Sequence, residues 1–182
     1  MMIRIPGFLV ALLTFPGVIW HEIAHRFFCD LMKVPVYDVR YFEISRESSG
    51  YVIHGHTDSL AASFLICSGP FIINTILCAL ITFPACFSFI TLGASDHEWP
   101  FILCMWIGIS IGAHAFPSVQ DTKELTRLLK QSKVNFLLLL PLYVWVLVIR
   151  VLACCNNAII NFVYALGIAS ILPSSIEGMW LL

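Results

Sequence analysis

Leu60–Leu92 reads LAASFLICSGPFIINTILCALITFPACFSFITL, an uninterrupted run without Asp, Glu, Lys or Arg. A lipid-spanning helix needs about 20 mainly apolar residues, because where water is absent only a helix pairs its backbone amides and carbonyls within its own segment. The run exceeds that length, so it is expected to cross a bilayer at a tilt, or to bend near Pro84, whose ring removes a backbone donor. The rest of the chain agrees: of 182 residues, 59% are hydrophobic and 12% charged, and the mean hydropathy is +0.90. This composition excludes a water-soluble monomer, a disordered chain and a collagen-like repeat. Ten Lys and Arg against eleven Asp and Glu leave a formal charge of -1 with no basic stripe, which excludes a nucleic-acid partner. The lipid bilayer is the partner the composition demands.

Four further apolar runs, at residues 5–29, 99–119, 134–154 and 158–172, complete the pattern. The expected fold is an all-α polytopic membrane protein, a single membrane domain over 1–182 with about five transmembrane helices. A cleaved signal peptide does not fit the first run, which ends in the polar HEIAHR without a small-residue cleavage site. Lys33, Arg40 and Arg46 lie in the loop 31–58, and Lys123, Arg127, Lys130 and Lys133 in the loop 120–133, whereas the turns at 93–98 and 155–157 carry no Lys or Arg. Basic residues mark cytoplasmic loops, so the amino terminus is expected outside and the carboxyl terminus in the cytoplasm. Seven cysteines, odd in number and without a CxxC pair, argue against a disulfide framework or a thiolate zinc site. Most read as small apolar fillers of buried helices.

Within the loop 31–58, VPVYDVRYFEI (34–44) and GYVIHGH (50–56) are rich in β-branched and aromatic residues, and RESSG (46–50) supplies turn chemistry. A small β-hairpin is expected between the first two helices. It is either a plain connection or a free edge on which an extended peptide could add as a strand.

His21, Glu22 and His25 form HEIAH at the end of the first run. On a helix, positions i and i+4 share a face, so both imidazoles can bind one ion while the neighbouring Glu reaches the ion's water. Such a zinc site lowers the pKa of its water to about 7, and the carboxylate takes the proton and passes it to a leaving amine. Two His and a Glu are costly in a membrane span and mark function by default; the bland alternative is a polar helix end snorkelling outward. Catalytic zinc takes three protein ligands. Asp121, His114, the pair His54 and His56, and His97 are the candidates. The expected topology puts His97 on the opposite side of the membrane, while the first and third spans both end at the inner leaflet. Pro117 should break the third helix near residue 116 and let Asp121 turn back towards the metal. Asp121 could instead be the N-cap of DTKEL, with Glu124 three residues on; the need for a third ligand favours coordination. His114 could be a ligand, a support behind a ligand, or a substrate contact. Gly69, Pro70 and Asn74, near the start of the second span, reach the same leaflet as candidate substrate-binding residues. Asn74 could hold a scissile carbonyl or its oxyanion, or simply make a helix-packing contact.

HEIAH at 21–25, GPFIIN at 69–74 and FPSVQD at 116–121, in that order, resemble the site-2 protease family of intramembrane zinc metalloproteases. The likeness covers about the first 130 residues and implies zinc ligands at His21, His25 and Asp121, a catalytic base at Glu22, and a membrane-dipping β-structure after the first core helix. Thr122 stands where the family usually has Gly, Arg26 where small residues are usual, and no PDZ-like insertion is present. The implied function is a zinc metalloendopeptidase that cleaves membrane-embedded or membrane-associated protein segments near the cytoplasmic leaflet. The alternative is a zinc-binding membrane protein without protease activity, such as a sensor, chaperone or transporter subunit. Weaker features are Gly108 and Gly112, a GxxxG read as a helix contact within the monomer, and Lys123, Arg127 and Lys130, read as a lipid-headgroup face.

Overall fold

A computed structural model describes residues 7–43, 49–92, 99–132, 135–154 and 158–180. The described residues form seven helices and two strands: α1 (Gly7–Leu13), α2 (Phe15–Leu31), β1 (Val36–Arg40), β2 (Tyr51–His54), α3 (Leu60–Leu92), α4 (Trp99–Ala113), α5 (Asp121–Gln131), α6 (Phe136–Cys154) and α7 (Ala158–Trp180). Two helical stretches, Leu60–Ser88 and Ala158–Ile176, are long and apolar enough to cross a membrane, and the α1–α2 pair is a third if taken as one span.

The first apolar run is not the single straight helix expected over 5–29. It bends by 89° between α1 and α2. Pro16 has no amide to give the carbonyl of Leu12, so the helical ladder fails there. Two other contacts hold the corner: the Thr14 hydroxyl donates to the Val10 carbonyl at 2.6 Å, and Trp106 Nε1 donates to the Leu13 carbonyl at 2.9 Å. As a result, HEIAH lies in the middle of α2 rather than at the end of a span.

At its other end α2 closes with Lys33 in the left-handed region, at φ 57°. Val34 donates to the Cys29 carbonyl at 2.9 Å and Lys33 to that of Asp30 at 3.1 Å, a Schellman cap that turns the chain back. The expected hairpin follows, with shorter strands than read from sequence. β1 and β2 pair antiparallel, from Val36 opposite His54 to Arg40 opposite Tyr51, with an irregularity between Val36 and Asp38. The expected turn at 46–50 lies mostly outside the described residues. Val34 is buried beside Cys29, and the Phe42 ring meets Phe15 at 6.0 Å. The hairpin therefore lies along the length of α2.

α3 matches its expected bounds and runs as one helix through both Pro70 and Pro84. It is the central post, packing against α2, α4, α5 and α7. α4 ends at Ala113, short of the expected 119, because Pro117 cannot donate to the Ala113 carbonyl. α6 starts at Phe136 and ends at Cys154, as expected to within the described residues, while α7 continues through Pro173 to Trp180, past the expected 172. Gly108 faces Thr82 of α3, and a Cβ on Gly112 would lie 2.6 Å from Cys78 Sγ and 2.8 Å from Ala165 Cβ, so the GxxxG packs within the chain. Cys29, Cys67 and Cys78 fill buried apolar clusters, as expected of small side chains. α5 buries Thr122, Leu125, Leu128 and Leu129 and exposes Lys123, Arg127 and Lys130.

Candidate metal centre

The i, i+4 spacing on α2 brings His21 and His25 face to face, with Nε2 atoms 3.2 Å apart. The other nitrogen of each ring meets a backbone carbonyl. His21 Nδ1 donates to His114 O at 2.7 Å, and His25 Nδ1 donates to Ile66 O at 2.9 Å. A carbonyl can only accept, so both Nδ1 atoms carry hydrogen, and each neutral imidazole presents a bare Nε2. Asp121 Oδ2 lies 3.6 Å from His25 Nε2. The ligand atoms of His21, His25 and Asp121 all lie within 4.8 Å of one another.

When both imidazoles are neutral, two lone pairs and a carboxylate oxygen converge with no hydrogen between the two nitrogens. Among neutral imidazoles that contact is repulsive, and a cation among the three atoms relieves it. Zinc–ligand bonds of about 2.0–2.2 Å at tetrahedral angles put neighbouring ligand atoms about 3.4 Å apart, close to the 3.2 and 3.6 Å separations that His25 makes and inside the 4.8 Å that bounds the set. The donor set therefore fits a metal ion, and His, His and Asp suit zinc chemically.

Both receiving carbonyls are free because a proline or a helix end has removed their usual donor. Pro70 is four residues after Ile66 and has no amide to give it. A Cβ on Gly69 would overlap the Phe28 ring, so glycine lets α3 approach α2 closely enough for His25 to reach Ile66 O. His114 follows the end of α4, and the amide four residues on, at Ser118, donates instead to Asp121 Oδ2 at 2.6 Å. Gly69 and Pro70, expected to contact substrate, are both buried at this helix contact. Replacing Pro70 with Ala is expected to restore an in-helix donor to Ile66 O. Metal affinity should then fall about tenfold, the scale for losing the partner behind a metal-binding His. Thermal stability should hold or rise, since an interior proline costs a helix about 3 kcal/mol. Zinc titration and a thermal melt of the purified variant check this; unchanged affinity would mean the freed carbonyl is irrelevant.

Asp121 is both cap and candidate ligand. Its amide donates to Ser118 Oγ at 3.2 Å while Ser118 donates back, a reciprocal capping box S-x-x-D. The pair closes the turn just before α5, which itself begins at Asp121. Glu124, expected to complete a cap, instead accepts from Arg127 Nε and NH2 at 3.0 and 2.6 Å.

The remaining candidates fall elsewhere. The His114 ring points away from the centre, its Nε2 2.7 Å from Thr14 Oγ1; only its carbonyl serves the histidine pair. His54 Nδ1 donates to the Gly55 carbonyl at 2.9 Å, and His56 is exposed at 3.4 Å from Glu124. His97 lies outside the described residues. Asn74 is fully buried and donates Nδ2 to His114 O at 3.0 Å; its Oδ1 has no partner among the described residues. One of its two amide hydrogens is thus committed to the backbone, a contact between α3 and the segment after α4. Phe116, in the break after α4, packs on Tyr164 at 4.6 Å and Phe71 at 5.8 Å, anchoring the irregular segment to α7 and α3.

Glu22 is buried on α2 beside the two imidazoles, beneath the paired end of the hairpin. A Cβ on Gly50 would fall 2.9 Å from Glu22 Cγ and 3.0 Å from the Tyr41 carbonyl, so the backbone of the hairpin rests directly on this carboxylate. The Ser118–Asp121 pair and the carbonyl freed by Pro70 were overlooked in the sequence, although each has a local signal: an S-x-x-D spacing and a proline four residues after an acceptor. The role of Thr14 has no such signal. No protein-family model, curated protein or solved structure matches the chain.

Proposed function

We propose that the chain is a polytopic membrane protein and an intramembrane zinc metalloendopeptidase, with His21, His25 and Asp121 as metal ligands and Glu22 as the proton-transferring base. The observation that carries this reading is the meeting of two bare imidazole nitrogens and a carboxylate oxygen beside a buried glutamate. A zinc ion there would lower the pKa of a bound water to about 7 and polarise a peptide carbonyl. Glu22 takes the proton from the attacking water and hands it to the leaving amine. The backbone of Ile66 and His114 keeps both rings in the tautomer that presents Nε2. A helical substrate hides its carbonyls, so the segment must be extended near Glu22, where the hairpin offers strand edges for it to add to. The substrate is accordingly a membrane-embedded or membrane-associated protein segment with helix-weakening residues near the cut.

The rival reading, a zinc-binding membrane protein without hydrolytic activity, rests on the same ligand set and differs in the work of Glu22. Purified protein in detergent is expected to carry zinc, to lose both zinc and cleavage of a membrane-segment peptide on chelation, and to recover both when zinc is restored. Cleavage that persists after complete metal removal would sink the proposal.

A further inference from the structure

We infer that Thr14 and His114 are positioning residues that set the ring of His21. The inference rests on the reading above in taking His21 as a metal ligand, but its geometry stands independently.

The Thr14 hydroxyl has one hydrogen, and that hydrogen goes to the Val10 carbonyl at 2.6 Å. Towards His114 Nε2, 2.7 Å away, Thr14 Oγ1 can therefore only accept. His114 must carry its hydrogen on Nε2, and the hydroxyl at the α1–α2 corner holds the ring in place. Gly17, one turn further along, forms the shelf beneath it: a Cβ there would lie 2.7 Å from His114 Cδ2 and would overlap the Ser110 carbonyl. The ring is thus clamped between the corner and the backbone of α2.

The clamp matters because His114 stands just past the end of α4, where no helical ladder holds the backbone. Its amide donates to the Ile111 carbonyl at 3.1 Å. Its carbonyl accepts from both His21 Nδ1 and Asn74 Nδ2, which fills both lone pairs of that oxygen. Fixing the ring fixes the carbonyl, and the carbonyl keeps the hydrogen of His21 on Nδ1 and its bare Nε2 towards His25 and Asp121. The 89° corner that sequence reading misses is therefore part of the site: it supplies the acceptor that a straight first helix would point elsewhere.

Two measurements test this on the full chain in detergent. Nitrogen-15 spectra of the imidazoles in metal-free protein report which nitrogen of His21 carries hydrogen, and titration with zinc alone reports affinity. The parent, Thr14→Ser and His114→Gln are expected to keep the Nδ1–H form, because Ser still accepts and the Gln amide still donates to Thr14. Thr14→Val and His114→Phe are expected to show mixed tautomers and zinc affinity about 10- to 100-fold weaker, the usual cost of losing support behind a ligand. Thr14→Val retaining both the tautomer and the parent affinity would overturn the inference. So would loss of either by His114→Gln, the variant that decides the matter should Thr14→Val and His114→Phe fail to fold. If the parent bound no zinc but its tautomers shifted as described, the positioning role would stand and the metal reading would fall. If the parent bound zinc and the His21 tautomer were the same in every variant, the reverse would hold.

Discussion

Replacing Glu22 with Gln is expected to abolish cleavage while leaving bound zinc unchanged. Gln has nearly the shape of Glu, so it fits the same buried place beneath Gly50. It cannot take a proton from water near neutral pH. General acid–base catalysis contributes roughly 10²- to 10⁴-fold, which corresponds to about 3–5 kcal/mol of barrier, so turnover should fall to the limit of detection. Metal content, read by elemental analysis of the same preparation, should match the parent because Glu22 is not among the converging ligand atoms. This pairing separates the two functional readings. A sensor, chaperone or transporter subunit would keep its activity with Gln at position 22, and in that case the protease proposal fails even if zinc is present.

Asp121→Ala is expected to have the largest effect on the metal itself. Apparent zinc-binding energies of about 10–16 kcal/mol in structural sites, divided over four ligands, give about 3 kcal/mol per ligand, or on the order of a hundredfold in affinity. Removing the carboxylate also leaves the Ser118 amide without its acceptor, so the start of α5 should loosen. Asp121→Asn separates these roles. The Asn oxygen can still accept from Ser118, so the cap survives, but the charge is gone. Zinc titration should show both variants weakened, whereas amide exchange at the start of α5 should quicken only in the Ala variant. Parent-like affinity in Asp121→Ala would reduce this residue to a helix cap and leave the centre with two ligands.

Much of the centre is legible along the chain because it depends on local rules. Positions 21 and 25 share a helix face whatever surrounds them. The long uncharged run of α3 announces a buried or lipid-covered helix, and its bounds agree with the structure. The basic face of α5 follows from helical spacing and is exposed as expected. Errors gather where prolines act. Pro16 lies where the first run becomes two helices at 89°, and α7 runs through Pro173 beyond the expected 172; the break expected near Pro117 is present, with α4 ending slightly earlier, at Ala113. The tertiary neighbours of each proline decide between breaking, bending and continuing a helix, because they determine whether the orphaned carbonyl finds another donor. The Ile66 carbonyl, orphaned by Pro70, finds His25, and at the Pro16 corner the neighbouring Leu13 carbonyl finds Trp106.

The sequence by itself determined the apolar character of the chain, the pairing of His21 with His25, the place of Glu22 beside them and the presence of a hairpin. Each of these depends on side chains a few residues apart, or on composition summed over a helix length. Only the tertiary structure shows that the Asp121 carboxylate, and not the His114 ring, lies beside the two imidazoles. These residues are seven apart in an irregular segment, and which of them reaches the imidazoles depends on how closely α4 crosses α2 at Gly17 and α3 crosses α2 at Gly69. Those crossings are set by the packing of whole helices, which no local spacing in the sequence encodes.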